Sequence, residues 1–324
     1  MASTLSPTQL AVTLSAISYL GQPDTNSQRF TVMNQAMAAT VGNDWTIVWG
    51  PATQGEDLVY VASNGAGQYA VVVRGTLFDR IEDVIQDVRI GQQVALPFTA
   101  PSSFSKALVS KGVQEVWTNI NNMVSSVPGS GSGSLLSFLQ GLTGSPSLLV
   151  TGHSLGGQMA SVAAVWLQSA LTNVSSVLPI TFAAPTAGNP DFASAYDSLF
   201  DAAGAMRYYN TLDVVPDLWT VDGLTSIKSD YAGGPKAGLV VKTSVDLALH
   251  TLSKNNLTYT QPSASTSLSG QLYSASGLGA FETEVNDQHR ALYYMFLLGI
   301  PLETINQLDA EWAPPSQVAT RSVG

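Results

Sequence analysis

The chain has no cysteine. That excludes disulfides, a thiolate metal site and a cysteine nucleophile, and it suits a reducing compartment without requiring one. Charge is scarce as well. Only 11% of the 324 residues are charged, with 13 basic against 23 acidic, for a net charge of −10. No basic run occurs anywhere. An acidic chain with scattered cations is a poor partner for phosphate backbones, so no nucleic acid is expected. The same net charge disfavours electrostatic docking on an anionic membrane and suits a neutral substrate or interface.

Long apolar runs are missing too. The longest, from Ala291 to Pro301, is too short to cross a bilayer, so no transmembrane segment is expected. The first basic residue is Arg29, so the N-terminus lacks the positive region of a secretory signal. A secreted and a cytoplasmic location both stay open, and the sequence says nothing of oligomeric state. Histidine is rare, at three residues, with no H-E-x-x-H. A metal-ligand cluster is hard to assemble from such a set, so neither metal nor cofactor is expected.

What the chain does have is apolar residue, at 45%. That fills one large core, and no linker separates two halves, so residues 1–324 read as a single domain. The stretch Pro128–Ser134, with its Gly-Ser repeats, reads as a flexible surface connector. A helix is expected over Thr8–Leu20, capped near Ser6-Pro7. Strands are expected at Trp45–Trp49, Leu58–Ala62, Gln68–Arg74, Leu148–Val150, Leu178–Ala183 and Ala205–Asn210. Asn64-Gly65 between two of them signals an antiparallel hairpin. Val109, Val113, Val116, Ile120 and Met123 form one helical stripe. Pro262–Gly279 reads as a loop, and a last helix runs from about His289 to Leu298. Apolar strands alternating with helices predict an α/β fold with a sheet buried on both faces at its centre.

The most informative residues are Val150-Thr151-Gly152-His153-Ser154-Leu155-Gly156-Gly157. They contain G-x-S-x-G between an apolar strand and a helical pattern beginning at Met159. A serine on a strained strand-to-helix turn needs glycines two residues to either side, because a Cβ there would strike the crossing backbone. The helix behind Ser154 offers backbone N–H groups to a developing anion. Ser154 is therefore the candidate nucleophile, and Leu155, the residue after it, a candidate oxyanion donor through its N–H.

A serine nucleophile needs a base. His153 precedes the nucleophile on a tight turn and would point away from the solvent side, which suits a structural role. His250 lies among apolar residues at helical spacing and reads as a half-buried, satisfied histidine. His289, before an apolar helix, is the candidate base. The acid then falls between them in the order Ser, acid, His. Asp213 follows an apolar strand, where a carboxylate meets an imidazole from the side. Asp217 is its nearest rival, and Asp287 sits only two residues from the base. After Thr76, the residues Phe78, Ile81, Ile85 and Val88 form a helical apolar stripe, with Asp79, Arg80, Asp83 and Gln86 on the other side.

The segment T-G-H-S-L-G-G resembles the fungal-type lipases of the class 3 family, on the α/β-hydrolase fold. Asn210-Thr-Leu-Asp213-Val-Val-Pro216 is similar to that family's Asp-Ile-Val-Pro signature, and Thr181–Phe192 to its F-G-x-P-R-V-G segment, with Ala183 for Gly and Thr186-Ala187 for Arg-Val. Ser105-Lys106-Ala107-Leu108 stands where many members have His-x-Gly-Phe. The resemblance spans about Trp45 to Leu298. It implies a mostly parallel central sheet flanked by helices, with a lid-like helix after an early strand. It places the triad histidine before the C-terminal helix, at His289, and the second oxyanion donor at Thr76 after Arg74-Gly75. The stripe of Phe78, Ile81, Ile85 and Val88 becomes a candidate lid, mobile or fixed. The implied activity is a serine carboxylester hydrolase, foremost a triacylglycerol lipase acting on neutral esters or acylglycerols, with an oil–water interface as a partner. A phospholipase A1 or a feruloyl-type esterase would use the same machinery, and a catalytically silent lipase-like binding scaffold is the reading from another class.

Overall fold

Residues 68–73 alternate between two buried faces, and that alternation organises the molecule. Val71 and Val73 enter one apolar cluster, while Ala70 and Val72 enter another on the opposite side. A strand with apolar side chains on both faces belongs in the middle of a covered sheet. The computed structural model describes residues 5–20, 25–75, 81, 84–85, 89–229, 231, 233–272, 277 and 279–300. Among these residues the main sheet has seven strands.

The strands are β1 (Thr46–Gln54), β2 (Asp57–Ser63), β3 (Gln68–Val73), β8 (Ser147–His153), β9 (Ser176–Phe182), β10 (Met206–Asn210) and β11 (Ser265–Leu268), side by side in that order. The expected hairpin at Asn64-Gly65 joins β2 and β3 antiparallel. From β3 onward every neighbour is parallel. Two short pairs lie outside this sheet: β4 (Gln93–Ala95) with β5 (Leu108–Ser110), and β6 (Val124–Ser125) with β7 (Gly133–Ser134). The helices Lys111–Asn122 and Leu155–Ala170 cover one face, packing Trp117, Ile120, Met159, Val162 and Trp166 against Leu148 and Val150. Helices Pro7–Ile17 and Asn26–Thr40 cover the other.

Four expectations need correction. Val109 lies in β5, not in the following helix, because Ser110 caps that helix by accepting the Val113 N–H. The Pro262–Gly279 loop contains β11, whose Ser-Thr-Ser-Leu carries no apolar alternation and pairs with β10 in parallel register. The Pro128–Ser134 connector is the turn and return strand of the β6–β7 pair rather than a free linker. The last helix begins earlier than His289: helix Ala280–Asn286 runs into a π turn, Asp287–Ala291, and then into helix Leu292–Leu298.

A separate apolar cluster caps the sheet's carboxyl edge. It joins Ile81, Val84, Ile85 and Ile90 to Val214, Leu218 and Trp219, and to Val241, Val245, Ala248 and Leu252 of helix Leu239–Lys254. Leu155 packs against it. Of the candidate lid residues, Ile81 and Ile85 are buried in this cluster, and Phe78 and Val88 lie outside the described residues.

Candidate active site

β8 ends at His153, helix Leu155–Ala170 begins at Leu155, and Ser154 makes the whole reversal between them. Its φ of 62° and ψ of −136° are strained for a side chain with a Cβ. Surrounding hydrogen bonds hold it there. The Ser154 N–H donates to the Phe182 carbonyl at 2.9 Å, and the Ser154 carbonyl accepts from the Gly157 and Gln158 N–H groups. A Cβ on Gly152 would strike the Gly156 carbonyl, and one on Gly156 would strike the Val73 carbonyl. The spacing that the motif demands is thus a close crossing of β3, β8 and the helix start. Leu155 opens that helix, where an N–H has no intrahelical acceptor. The Ser154 hydroxyl is buried and forms no hydrogen bond among the described residues.

Asp213 lies three residues past β10 and is buried. Its carboxylate accepts from His289 Nδ1–H at 2.9 and 3.0 Å, from the Tyr293 hydroxyl at 2.7 Å and from the Val215 N–H at 3.0 Å. Three donors on one carboxylate fix its plane. With Nδ1–H committed to Asp213, the Nε2 of His289 carries the lone pair. Burial, and then the charge of Asp213, hold the Tyr293 phenol well above its ordinary pKa, so it stays a donor. The two rival acids do not take this place. Asp217 accepts from the Ser226 hydroxyl at 3.4 Å, and Asp287 occupies the same π turn as the base.

His153 is a structural partner of His289. Its Nε2–H donates to the His289 carbonyl at 2.7 Å, and the two rings pack with centroids 4.6 Å apart. Burial, and next the charge on His289, push its pKa well below the ordinary value, so it stays neutral. Since His153 immediately precedes Ser154, this contact sets the π turn and the elbow side by side. The structure therefore brings Asp213 and His289 into direct contact and ties that pair to His153, the residue before Ser154, with no Ser154–His289 hydrogen bond formed. Such a bond often tightens only with substrate bound. His250, expected to be half-buried, is exposed on the outer face of helix Leu239–Lys254.

Thr76 lies outside the described residues, and Gly75 before it is held by a residue the sequence did not reveal. The Gly75 N–H donates to the Tyr19 hydroxyl at 3.1 Å, which in turn donates to the His153 carbonyl at 3.1 Å. Burial pushes the Tyr19 phenol up to about 12, so it remains protonated. Tyr19→Phe keeps the ring but leaves a buried N–H and a buried carbonyl unpaired, which costs roughly 1–3 kcal/mol for each such group. We expect it to lower the melting temperature and to reduce kcat on a soluble ester about tenfold, with KM little changed. Calorimetry and steady-state kinetics on the purified variant check both.

Tyr293 was missed as well, though a signal existed: it stands four residues after His289, the spacing that puts two side chains on one helical face. Asn210 and Gln288 carry no local sequence signal. Asn210 Nδ2 donates to the Gln288 carbonyl and Oε1, and Gln288 Nε2 donates to Glu284 Oε1 and the Gln271 carbonyl. These bonds tie β10 to the π turn. The family departure at Ala183 falls on a left-handed residue, φ 53°, where glycine fits more easily. Thr186 accepts the Gln158 amide at its carbonyl and donates its hydroxyl to the Leu218 carbonyl, a structural use of that position. Among the described residues no group of three or more His, Asp or Glu could hold a metal, and no helix is long and apolar enough to cross a membrane.

A strained serine between strand and helix at the carboxyl edge of a mostly parallel sheet, with a buried imidazole–carboxylate pair held against the residue before it, defines an α/β-hydrolase fold. Residues 70–223 match the model of the family described as "Lipase (class 3)". M37 lipase is similar over nearly the whole chain: TM-score 0.79, 25% identity, covering 91% of this chain and 92% of that one. A mutant form of MDLA from Penicillium cyclopium shares the fold at TM-score 0.50 and 16% identity, over 84% of this chain and 82% of that one. Phospholipase A1-II 1 of Oryza sativa subsp. indica is 42% identical over 72 residues, 22% of this chain. The match spans only 18% of that relative's length.

Proposed function

We propose that this chain is a serine carboxylester hydrolase acting on acylglycerols, with Ser154 as nucleophile, His289 as base and Asp213 as its orienting acid, in one α/β-hydrolase domain over residues 1–324. The observation that carries the reading is the buried Asp213–His289 contact, anchored through His153 to the strained Ser154. His289 Nε2 takes the Ser154 proton as Oγ adds to the ester carbonyl. Leu155 and Thr76 donate their N–H groups to the oxyanion, each worth roughly 3–4 kcal/mol where single donors have been removed. The tetrahedral intermediate collapses, and His289 hands the proton to the leaving alkoxide. Water then attacks the acyl-Ser154 with the same base, releasing the carboxylic acid and restoring the hydroxyl.

Ser154, His289 and Asp213 are all nearly inaccessible, at 1%, 1% and 3% exposure. Substrate entry therefore needs the cover to move. The apolar cluster over Leu155, with Ile81 and Ile85 in it, is that cover in our reading, and these two residues belong to its lid. A phospholipase A1 activity on the same site is the second reading, favoured by the 42% identity to the rice enzyme.

A fluorophosphonate followed by peptide mapping tests the assignment. Phosphonylation is expected at Ser154 and is lost in Ser154→Ala. Labelling elsewhere, or none, removes the nucleophile and leaves the silent scaffold. Triglycerides, a phospholipid and a feruloyl ester assayed side by side then separate the substrate classes.

A further inference from the structure

Helix Leu239–Lys254 has two faces of different character. Val241, Val245, Ala248 and Leu252, at helical spacing, are buried in the cluster that caps Leu155. The opposite stripe is Leu239, Thr243, Leu247, His250 and Lys254, with Val240 alongside, and all six are exposed. Leu239 is 82% exposed, Leu247 59% and Val240 58%. Three large aliphatic side chains open to water on one helix are unusual, because scattered single ones are the norm. Their electrostatic setting is also unlike the rest of the chain. Residues 228–254 carry four lysines against two aspartates, whereas the remainder carries nine basic against 21 acidic residues. Asp246, at the margin of the stripe, is paired with Lys228. Lys236 and Lys254 are exposed, and Lys242 is half-buried.

From this combination we propose that the outer face of helix Leu239–Lys254 is a docking surface for a carboxylate-bearing lipid surface, such as the one ester hydrolysis itself creates. The proposal rests on the hydrolase reading, since each turnover of a neutral ester leaves a carboxylate at the interface. An oil surface so charged repels a protein of net charge −10, except where that protein presents cations. The stripe and the lysines beside it supply both attractions: aliphatic side chains enter the acyl layer, and Lys236, Lys242 and Lys254 meet carboxylates at its edge, as on interfacial helices. The inner face of the same helix packs on the cover over Leu155. Docking would therefore place the lipid surface one helix thickness, about 10 Å, from the residues that must part for substrate.

Sedimentation with vesicles tests this. The wild-type chain is expected to partition more strongly onto phosphatidylcholine vesicles carrying oleic acid than onto phosphatidylcholine alone, and the difference should vanish at high salt. Lys236→Gln, Lys242→Gln and Lys254→Gln together should remove the preference, at roughly fivefold per lysine. Leu239→Ser, Val240→Ser and Leu247→Ser together should reduce binding to both vesicle types. Neither set should alter kcat/KM on a soluble short-chain ester. Equal partitioning of wild type, or variants that bind as it does, overturns the docking surface. So does a dimer in analytical ultracentrifugation that the serine variants dissociate, which would make a second copy the occupant. A wild-type chain that binds oleate vesicles yet hydrolyses no ester would instead sink the hydrolase reading.

Discussion

Asp213→Asn is expected to lower kcat on a soluble p-nitrophenyl ester about 10⁴-fold while the protein still folds. The carboxylate accepts three hydrogen bonds from fixed donors, those of His289 Nδ1, the Tyr293 hydroxyl and the Val215 N–H. An asparagine has one accepting oxygen and one donating nitrogen, so it cannot serve all three. Turning its oxygen to Val215 puts the NH₂ group against His289 and Tyr293. The imidazole then satisfies that NH₂ by accepting at Nδ1, which moves its proton to Nε2 and leaves no lone pair for Ser154. Burial sharpens the effect, because the pair is almost out of water and no solvent molecule repairs the mismatch. Asparagine and aspartate are nearly the same size, so the melting temperature should change far less than the rate. A variant within tenfold of wild type would show that Asp213 does not orient the base, and attention would pass to Asp217.

What the sequence made visible were requirements met within a few residues. The elbow is one of these, since its glycines answer a steric need two positions away. The β2–β3 hairpin is another, fixed by Asn64-Gly65. The N-terminal helix is a third, where Ser6 and Gln9 cap each other's backbone. Thr25 and Gln28 form the same reciprocal cap on helix Asn26–Thr40. That helix buries only Met33 and Met37, too little periodicity to stand out. Contacts made across the fold were hidden. Nothing near Tyr19 in the sequence points to Gly75 or His153, and nothing in Ser265–Leu268 announces a strand. The π turn was hidden for the same reason: it is held by Gln288 reaching Asn210 and Gln271, and not by a local pattern. The Asp213–His289 pair was legible in identity, through order along the chain and family resemblance. Its support by Tyr293 and by the His153 ring was not.

Gly156→Ala should cost about 3 kcal/mol or more, the upper end of what overpacking does, because every atom in the way is backbone. The added Cβ would meet the Val73 carbonyl, with the Gly75 nitrogen at 2.5 Å and the Arg74 carbonyl carbon at 2.6 Å. None of these belongs to a side chain that can rotate aside. Val73 ends β3, which is hydrogen-bonded to β2 on one side and β8 on the other, so relief requires prising apart the centre of the sheet. The same displacement carries Gly75 away from the elbow, so activity falls together with stability. At roughly 2–4 °C per kcal/mol for a chain of a few hundred residues, the melting temperature should drop by about 6–12 °C. Gly141 supplies the comparison. Its φ is −78°, and a Cβ there would approach nothing closer than 3.4 Å. Gly141→Ala should therefore stay within about 0.5 kcal/mol of wild type. Differential scanning calorimetry on the two variants isolates the close crossing from the mere loss of a glycine. Equal melting temperatures would mean that helix and strand have room to spare at the nucleophile, and the steric reason for G-x-S-x-G in this chain would be gone.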